Sequence, residues 1–286
     1  MDIKKNVAMK NHTSFKIGGL ADEFCEAKSV EEIKELAEYA KGKNIPYYVI
    51  GNGTNLLVSD KGIRGLVIKI AGSFSRYTVD GDKIISESGA LLSVLASAAQ
   101  KNSLSGMEFA SGIPGTLGGA IYMNAGAYGG EMKDIIKSVT YLENGEIKTI
   151  SDGFGFGYRR SIFTDLDAFI LSAEIRLSEG SFEDIKKKTE ELRHRRAEKQ
   201  PLNLPSAGST FKRPQGYFAG KLIEDAGLRG YTVGGAAVSE KHCGFVVNKG
   251  DATADDVITL IRYIQKTVKD KFGVALETEV KMLGEF

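Results

Sequence analysis

The apolar positions of the chain change period several times, and each change marks an element. Over 29–43, Val30, Ile33, Leu36, Ala37 and Ala40 recur at helical spacing, with Ser29 placed to cap the helix and Glu32 as its capping-box partner three residues on. Tyr47–Ile50, Leu56–Val58 and 65–70 are short apolar runs that read as strands, so the opening stretch predicts a small α/β unit. Asp80-Gly81 between 77–79 and Lys83–Glu87 is a hairpin signal. A helix is predicted over 91–102, and strand-like runs follow at 135–143, Glu146–Ile150 and 168–177. A charged helix over 181–200 is stopped by Pro201, and 202–209 reads as a linker. Beyond it lie a helix over 218–226, a strand at 244–247, a helix over 253–272 and a final strand at 274–283. Thr253 and Asp256 cap the 253–272 helix, and Val257, Leu260, Ile261, Ile264 and Val268 form its buried stripe. The pattern predicts an α+β protein in three units, 1–73, 74–200 and 201–286.

Composition sharpens this picture at one point. Glycine takes 34 of 286 positions and proline only 5, against usual shares of ~7% and ~5%. Eight of the glycines fall within 106–130, too many for a regular helix or strand. The net charge of +1, without long blocks of either sign, argues against a general nucleic-acid or membrane-surface role. Cys25 and Cys243 stand alone, without metal-ligand spacing, as reduced buried thiols do. The first fifteen residues lack the apolar core of a signal peptide, and no apolar run is long enough to span a bilayer. The expected location is the cytoplasm, with no metal and no obligate protein partner.

Two glycine loops carry the candidate chemistry. Gly51, Asn52, Gly53, Thr54 and Asn55 join two apolar runs; glycines so spaced permit left-handed turns whose N–H groups converge on a pyrophosphate, although an ordinary tight turn uses the same residues. No Gly-Lys-Ser/Thr follows, so this is no P-loop, and the third glycine of the dinucleotide fingerprint is missing. The second loop runs through Gly112, Ile113, Pro114, Gly115, Thr116, Gly118 and Gly119 to Asn124, Ala125 and Gly126. Such a surface lets backbone lie against a flat ligand, and the interleaved Ile113, Leu117, Ile121 and Met123 argue against a flexible linker.

These loops, with the segment from Asn11 to Gly19 upstream, resemble the UDP-N-acetylenolpyruvoylglucosamine reductase family. The resemblance continues through Gly157-Tyr158-Arg159-Arg160-Ser161 and Ala207-Gly208-Ser209-Thr210-Phe211-Lys212-Arg213-Pro214 to Leu276-Glu277-Thr278-Glu279-Val280, covering essentially the whole chain in order. It implies two FAD-binding subdomains of the vanillyl-alcohol-oxidase (PCMH) type, here 1–73 and 74–200, and a C-terminal α+β substrate domain, 201–286. The chain resembles the shorter subtype, with little room between Arg160 and Ser181 for an extra tyrosine loop. The implied reaction is NADPH-dependent reduction, through non-covalent FAD, of UDP-N-acetylglucosamine enolpyruvate to UDP-N-acetylmuramate for peptidoglycan.

By the same resemblance, Arg159 and Glu279 stabilise the enolate, and Ser209 gives the proton. Glu279 has to act protonated or by orienting Arg159, since two bare carboxylates repel. The two glycine loops hold the cofactor, and Tyr158, Lys212 and Arg213 are candidates for the substrate. An oxidase of the same fold, or a nucleotide-sugar binding protein without flavin, are the alternatives; Arg159, Ser209 and Glu279 together argue against both.

Overall fold

The computed structural model describes residues 1–286, which separate into two compact units, each assembled from several stretches of chain. The first comprises Met1–Ile3, Cys25–Asn52 and Val67–Arg196; the second comprises Lys4–Phe24, Gly53–Leu66 and Ala197–Phe286. Parts of the first 73 residues thus fold with the C-terminal stretch and not with their sequence neighbours.

In the first unit, helix α1 (Val30–Gly42) buries Ile33, Leu36 and Ala40, and the Ser29 hydroxyl accepts from Glu32 N at 3.2 Å. The Glu32 carboxylate reaches one residue further back than a capping box requires, accepting from Lys28 N at 2.9 Å. A five-stranded antiparallel sheet runs in the order Glu146–Ile150, Ile136–Glu143, Ala168–Arg176, Lys83–Glu87, Tyr77–Asp80. Asp80 pairs with Lys83, so the hairpin's central residues are Gly81 (φ +56) and Asp82, one position later than the Asp80-Gly81 signal. Helix α2 (Leu92–Lys101) packs Leu92 and Leu95 into the core beneath this sheet with Ile84, Val139 and Ile175.

The glycine-rich stretch holds a six-residue helix, α3 (Leu117–Tyr122), where its composition predicts none. Each glycine in a helix costs about 1 kcal/mol relative to alanine, whereas burying a leucine or isoleucine contributes roughly 1.5–3 kcal/mol. Leu117 and Ile121 are both fully buried, and that burial outweighs Gly118 and Gly119. Helix α4 (Phe182–Lys199) is charged on most faces, burying Ile185, Thr189 and Leu192.

In the second unit Lys4–Ala8 pairs antiparallel with the strand that begins at Leu20, and Lys4–Ala8 escapes the periodicity because Lys4, Lys5 and Asn6 are polar and exposed. Its small antiparallel sheet orders Thr232–Val233, Ala236–Val238 and Val246–Asn248. Helices α5 (Ala219–Asp225) and α6 (Ala254–Phe272) pack on a core that also takes Phe15, Ile17 and Leu57. The N terminus of α6 carries a full capping box between Thr253 and Asp256, and Gly273 ends it at φ +70. The Asp60 carboxylate adds two further acceptors, for Ala254 N at 2.9 Å and Asp255 N at 3.1 Å. Leu56–Val58 pairs in parallel with Lys281–Leu283, which explains why the early segment belongs here. The expected strand at 274–283 is a strand only over those last three residues; before them the chain makes a single bridge, Phe211 to Thr278.

His242 is half-buried in this unit, its Nδ1 accepting from Gly244 N at 3.1 Å and its ring 5.1 Å from Phe245. Burial pushes its pKa below the usual value. Cys25 and Cys243 are free and buried, and burial raises both thiols. No helix is long and apolar enough to cross a membrane.

Thr253→Ala removes one half of the α6 capping box and should lower unfolding free energy by about 1 kcal/mol in urea titration. The pH profile of stability should carry the mark of His242. Because its folded pKa lies below the unfolded value of about 6.5, its contribution is complete above that pH and declines as pH falls toward the folded pKa. His242→Gln should therefore flatten the loss of Tm between about pH 7 and 5; an unchanged slope would contradict the assignment.

Candidate active site

Asn52 Nδ2 donates to the Pro114 carbonyl at 3.0 Å, and a Cβ at Gly51 would overlap Thr116 Oγ1, so the start of the first glycine loop meets the second. Gly53, at φ +63, passes so close to the His12 carbonyl that no side chain fits there. Asn55 faces elsewhere: its Nδ2 donates to the Glu279 carbonyl at 3.2 Å, and its own carbonyl accepts from Lys281 N at 2.9 Å. Ser14, from the upstream motif, gives its N–H to Gly53 O and its hydroxyl to Ser206 O.

In the second loop much of the glycine density serves close packing within the protein. A Cβ at Gly118 would lie 2.9 Å from Ser88 Cβ, and one at Gly112 would lie 3.0 Å from Arg196 Cδ. Several N–H groups of this loop are engaged internally: Ile113 with Ala110 O, Gly118 with Ser88 O, and Gly119 with Thr116 Oγ1. Gly126 pairs with Glu131 in a short ladder, and Ala125 N donates to Ala120 O. Arg196, from α4, is partly buried beside Gly112, and burial lowers its pKa from the usual value.

Asn124 is fully buried at φ +42. Its Nδ2 donates to Glu131 Oε2 at 2.6 Å and to the Gly157 carbonyl at 3.0 Å, while Oδ1 accepts from Lys133 N at 2.9 Å. The side chain therefore holds protein to protein. Gly157 opens the turn that carries Tyr158 and Arg159, and the Arg159 guanidinium lies 4.9 Å from the Tyr158 ring centre. Tyr158 is exposed and Arg159 half-buried.

Ser209 and Glu279 sit on one piece of backbone pairing in the second unit. Glu279 N donates to Thr210 O at 2.8 Å, Lys212 N donates to Glu277 O at 2.8 Å, and Phe211 bridges Thr278. Thr210 is pinned on its other side, N to Gly244 O and Oγ1 from Val246 N, both at 2.9 Å. Gly208, at φ +78, turns the chain into this pairing and leaves Ser209 partly exposed at its start. Lys212 Nζ pairs with Glu277 at 3.0 Å on an exposed surface, and the Arg213 guanidinium stacks 4.0 Å over the Phe218 ring. The sequence reading places Asn55 and Asn124 with the cofactor and leaves Ser14 unassigned; the hydrogen bonds that these side chains make within the chain leave no local signal, because their acceptors Glu279, Gly157 and Ser206 lie far along it.

Two buried hydroxyls beside the second loop, Ser88 and Ser111, have no hydrogen-bond partner within the chain. A buried hydroxyl without a partner costs about 1–3 kcal/mol, so a polar ligand meeting them is favoured. That fits the FAD which the sequence resemblance implies.

Comparison with known proteins agrees with this reading. The family profile "FAD binding domain" matches residues 21–151, and "UDP-N-acetylenolpyruvoylglucosamine reductase, C-terminal domain" matches 200–283. The chain is similar to UDP-N-acetylenolpyruvoylglucosamine reductase of Caldanaerobacter subterraneus subsp. tengcongensis, 58% identical over 98% of this chain and 93% of the relative. That of Clostridioides difficile is 55% identical over 99% and 94%. The crystal structure of the Thermus caldophilus reductase superimposes with TM-score 0.87 at 36% identity, covering 99% of both chains. Cholesterol oxidase from Brevibacterium sterolicum, at 14% identity and TM-score 0.50 over 62% of this chain and 38% of its own, shares the fold alone. The fold is thus an FAD-binding domain of the vanillyl-alcohol-oxidase type followed by a C-terminal α+β domain. The chain belongs to the UDP-N-acetylenolpyruvoylglucosamine reductase family of FAD-dependent oxidoreductases.

Proposed function

We propose that this enzyme reduces the enolpyruvyl group of UDP-N-acetylenolpyruvoylglucosamine to a lactyl ether, giving UDP-N-acetylmuramate for peptidoglycan synthesis in the cytoplasm, with NADPH as reductant. FAD, when bound, supplies the hydride chemistry between NADPH and the terminal alkene carbon. The remaining requirements fall on the chain itself. Hydride addition pushes an electron pair toward the substrate carboxylate, so a cation must face that group and an acid must face the adjacent carbon. Arg159 is charged at every working pH and can meet a carboxylate with two parallel hydrogen bonds. Glu279 is assigned with it to stabilise the enolate.

Ser209 Oγ–H is assigned as the proton donor. A serine hydroxyl is a weak acid, but an enolate carbon is basic enough to take its proton. The observation that carries this reading is the backbone pairing in which Glu279 N donates to Thr210 O at 2.8 Å, because it holds two of the three assigned groups on adjoining segments of chain. Tyr158, Lys212 and Arg213 are assigned to the substrate. The exposed Lys212–Glu277 pair is worth at most about 1 kcal/mol, so Lys212 can exchange its carboxylate partner for a diphosphate. Residues 201–286 are the proposed substrate domain.

The purified protein should be yellow, bleach on anaerobic addition of NADPH, and regain colour when UDP-N-acetylenolpyruvoylglucosamine is added. Fast recovery with oxygen alone would point instead to an oxidase. Ser209→Ala should leave bleaching by NADPH intact and slow recolouring by substrate about 10²–10⁴-fold in stopped flow, the usual share of a general acid. Equal loss in both half-reactions would remove Ser209 from the role.

A further inference from the structure

We infer that Asn124 and Ser161 are positioning residues for this reaction: together they fix the turn carrying Tyr158 and Arg159 to the C-terminal end of α3. The inference rests on the role proposed for Arg159 above. Gly157 and Arg160 bond to each other in both directions, at 3.0 Å and 3.3 Å, leaving Tyr158 and Arg159 as a two-residue reversal. Arg159 takes φ +58, a left-handed value that turns of this shape normally give to glycine or asparagine. Such a turn holds only if its flanks hold it.

Both flanks are tied to one place. Asn124 Nδ2 donates to the Gly157 carbonyl at 3.0 Å, and Ser161 Oγ donates to the Tyr122 carbonyl at 2.9 Å. Asn124 and Ser161 are each 0% exposed. Tyr122 is the last residue of α3 and Asn124 follows two positions on, so the two anchors converge on a single helix end. An amide is required at 124: its second hydrogen goes to Glu131 Oε2 and its oxygen takes the Lys133 N–H. An aspartate there would offer no donor and would set like charge against Glu131. The left-handed φ of +42 at 124 also suits asparagine better than most residues. Two parallel bonds from a guanidinium to a carboxylate demand a fixed approach, and these anchors supply it at the backbone.

The test is a double-mutant cycle on the FAD-loaded enzyme. Asn124→Ala and Ser161→Ala, two variants so that a folding failure in one leaves the other, should each slow recolouring by UDP-N-acetylenolpyruvoylglucosamine about 100-fold, the cost of roughly 1 Å of misplacement. Bleaching by NADPH should keep its parental rate in Ser161→Ala, whose side chain lies outside the two glycine loops. In an Arg159→Ala background the same substitutions should add almost nothing, because the group they position is gone. Amide exchange over 154–162 in the holoenzyme should quicken in both variants, with the strand Ala168–Arg176 unchanged. If the substitutions cost as much with Arg159 removed as with it present, the inference is overturned while the role of Arg159 stands. An Arg159→Ala enzyme that recolours at the parental rate overturns that role, and the inference with it. Equal damage to both half-reactions in Ser161→Ala marks a merely structural role and also overturns it.

Discussion

Backbone carbonyls outside regular structure need donors, and in this protein short polar side chains supply them. Asn52 serves Pro114, Asn55 serves Glu279, Asn124 serves Gly157, Ser14 serves Ser206 and Ser161 serves Tyr122. Each bond is worth only about 1 kcal/mol net, yet leaving the buried group unpaired costs more than the bond contributes. The segments so tied are the ones that carry the assigned chemistry. They are loops in shape and fixed in position, as the roles proposed for them require.

The second unit adds a different means of fixation. Ser209 precedes, and Glu279 ends, a three-residue antiparallel pairing whose other side is nailed to 244–246 through Thr210. Lateral displacement of one assigned group relative to the other would break main-chain bonds. This economy of means also explains why Thr210, buried and polar, has an all-protein set of partners.

What was legible in the sequence follows from the range of the interactions. Helices α1, α2, α4, α5 and α6 are read within a residue or two, since cap and stripe lie within a few turns of each other, as with Ser29 and Thr253. The hairpin at Gly81 is local for the same reason. Parallel pairing of Leu56–Val58 with Lys281–Leu283 leaves no local trace, and neither do the polar strand Lys4–Ala8 or the helix inside the glycine stretch, whose stability comes from tertiary burial of Leu117 and Ile121. At the site, the loops could be recognised as unusual from composition, whereas the roles of Arg159, Ser209 and Glu279 came from family resemblance. The duties of Asn55 and Asn124 could not be read at all, because their acceptors lie far along the chain.

The interleaved build of the second unit sets the order in which the chain can fold. Asp60 and the helix end that it caps are 194 residues apart in sequence. At ~5–20 residues per second of synthesis, the early segment waits roughly 10–40 s for its partner to be made. Until then Phe15, Ile17 and Leu57 have no core to enter, and they are apolar surface that a chaperone can hold or that another nascent chain can meet. Contacts this distant also make for slow closure, since loop entropy is paid before the reward arrives. Completion of the C-terminal stretch, and not emergence of the flavin-binding region, is therefore the event that commits this enzyme to its native state.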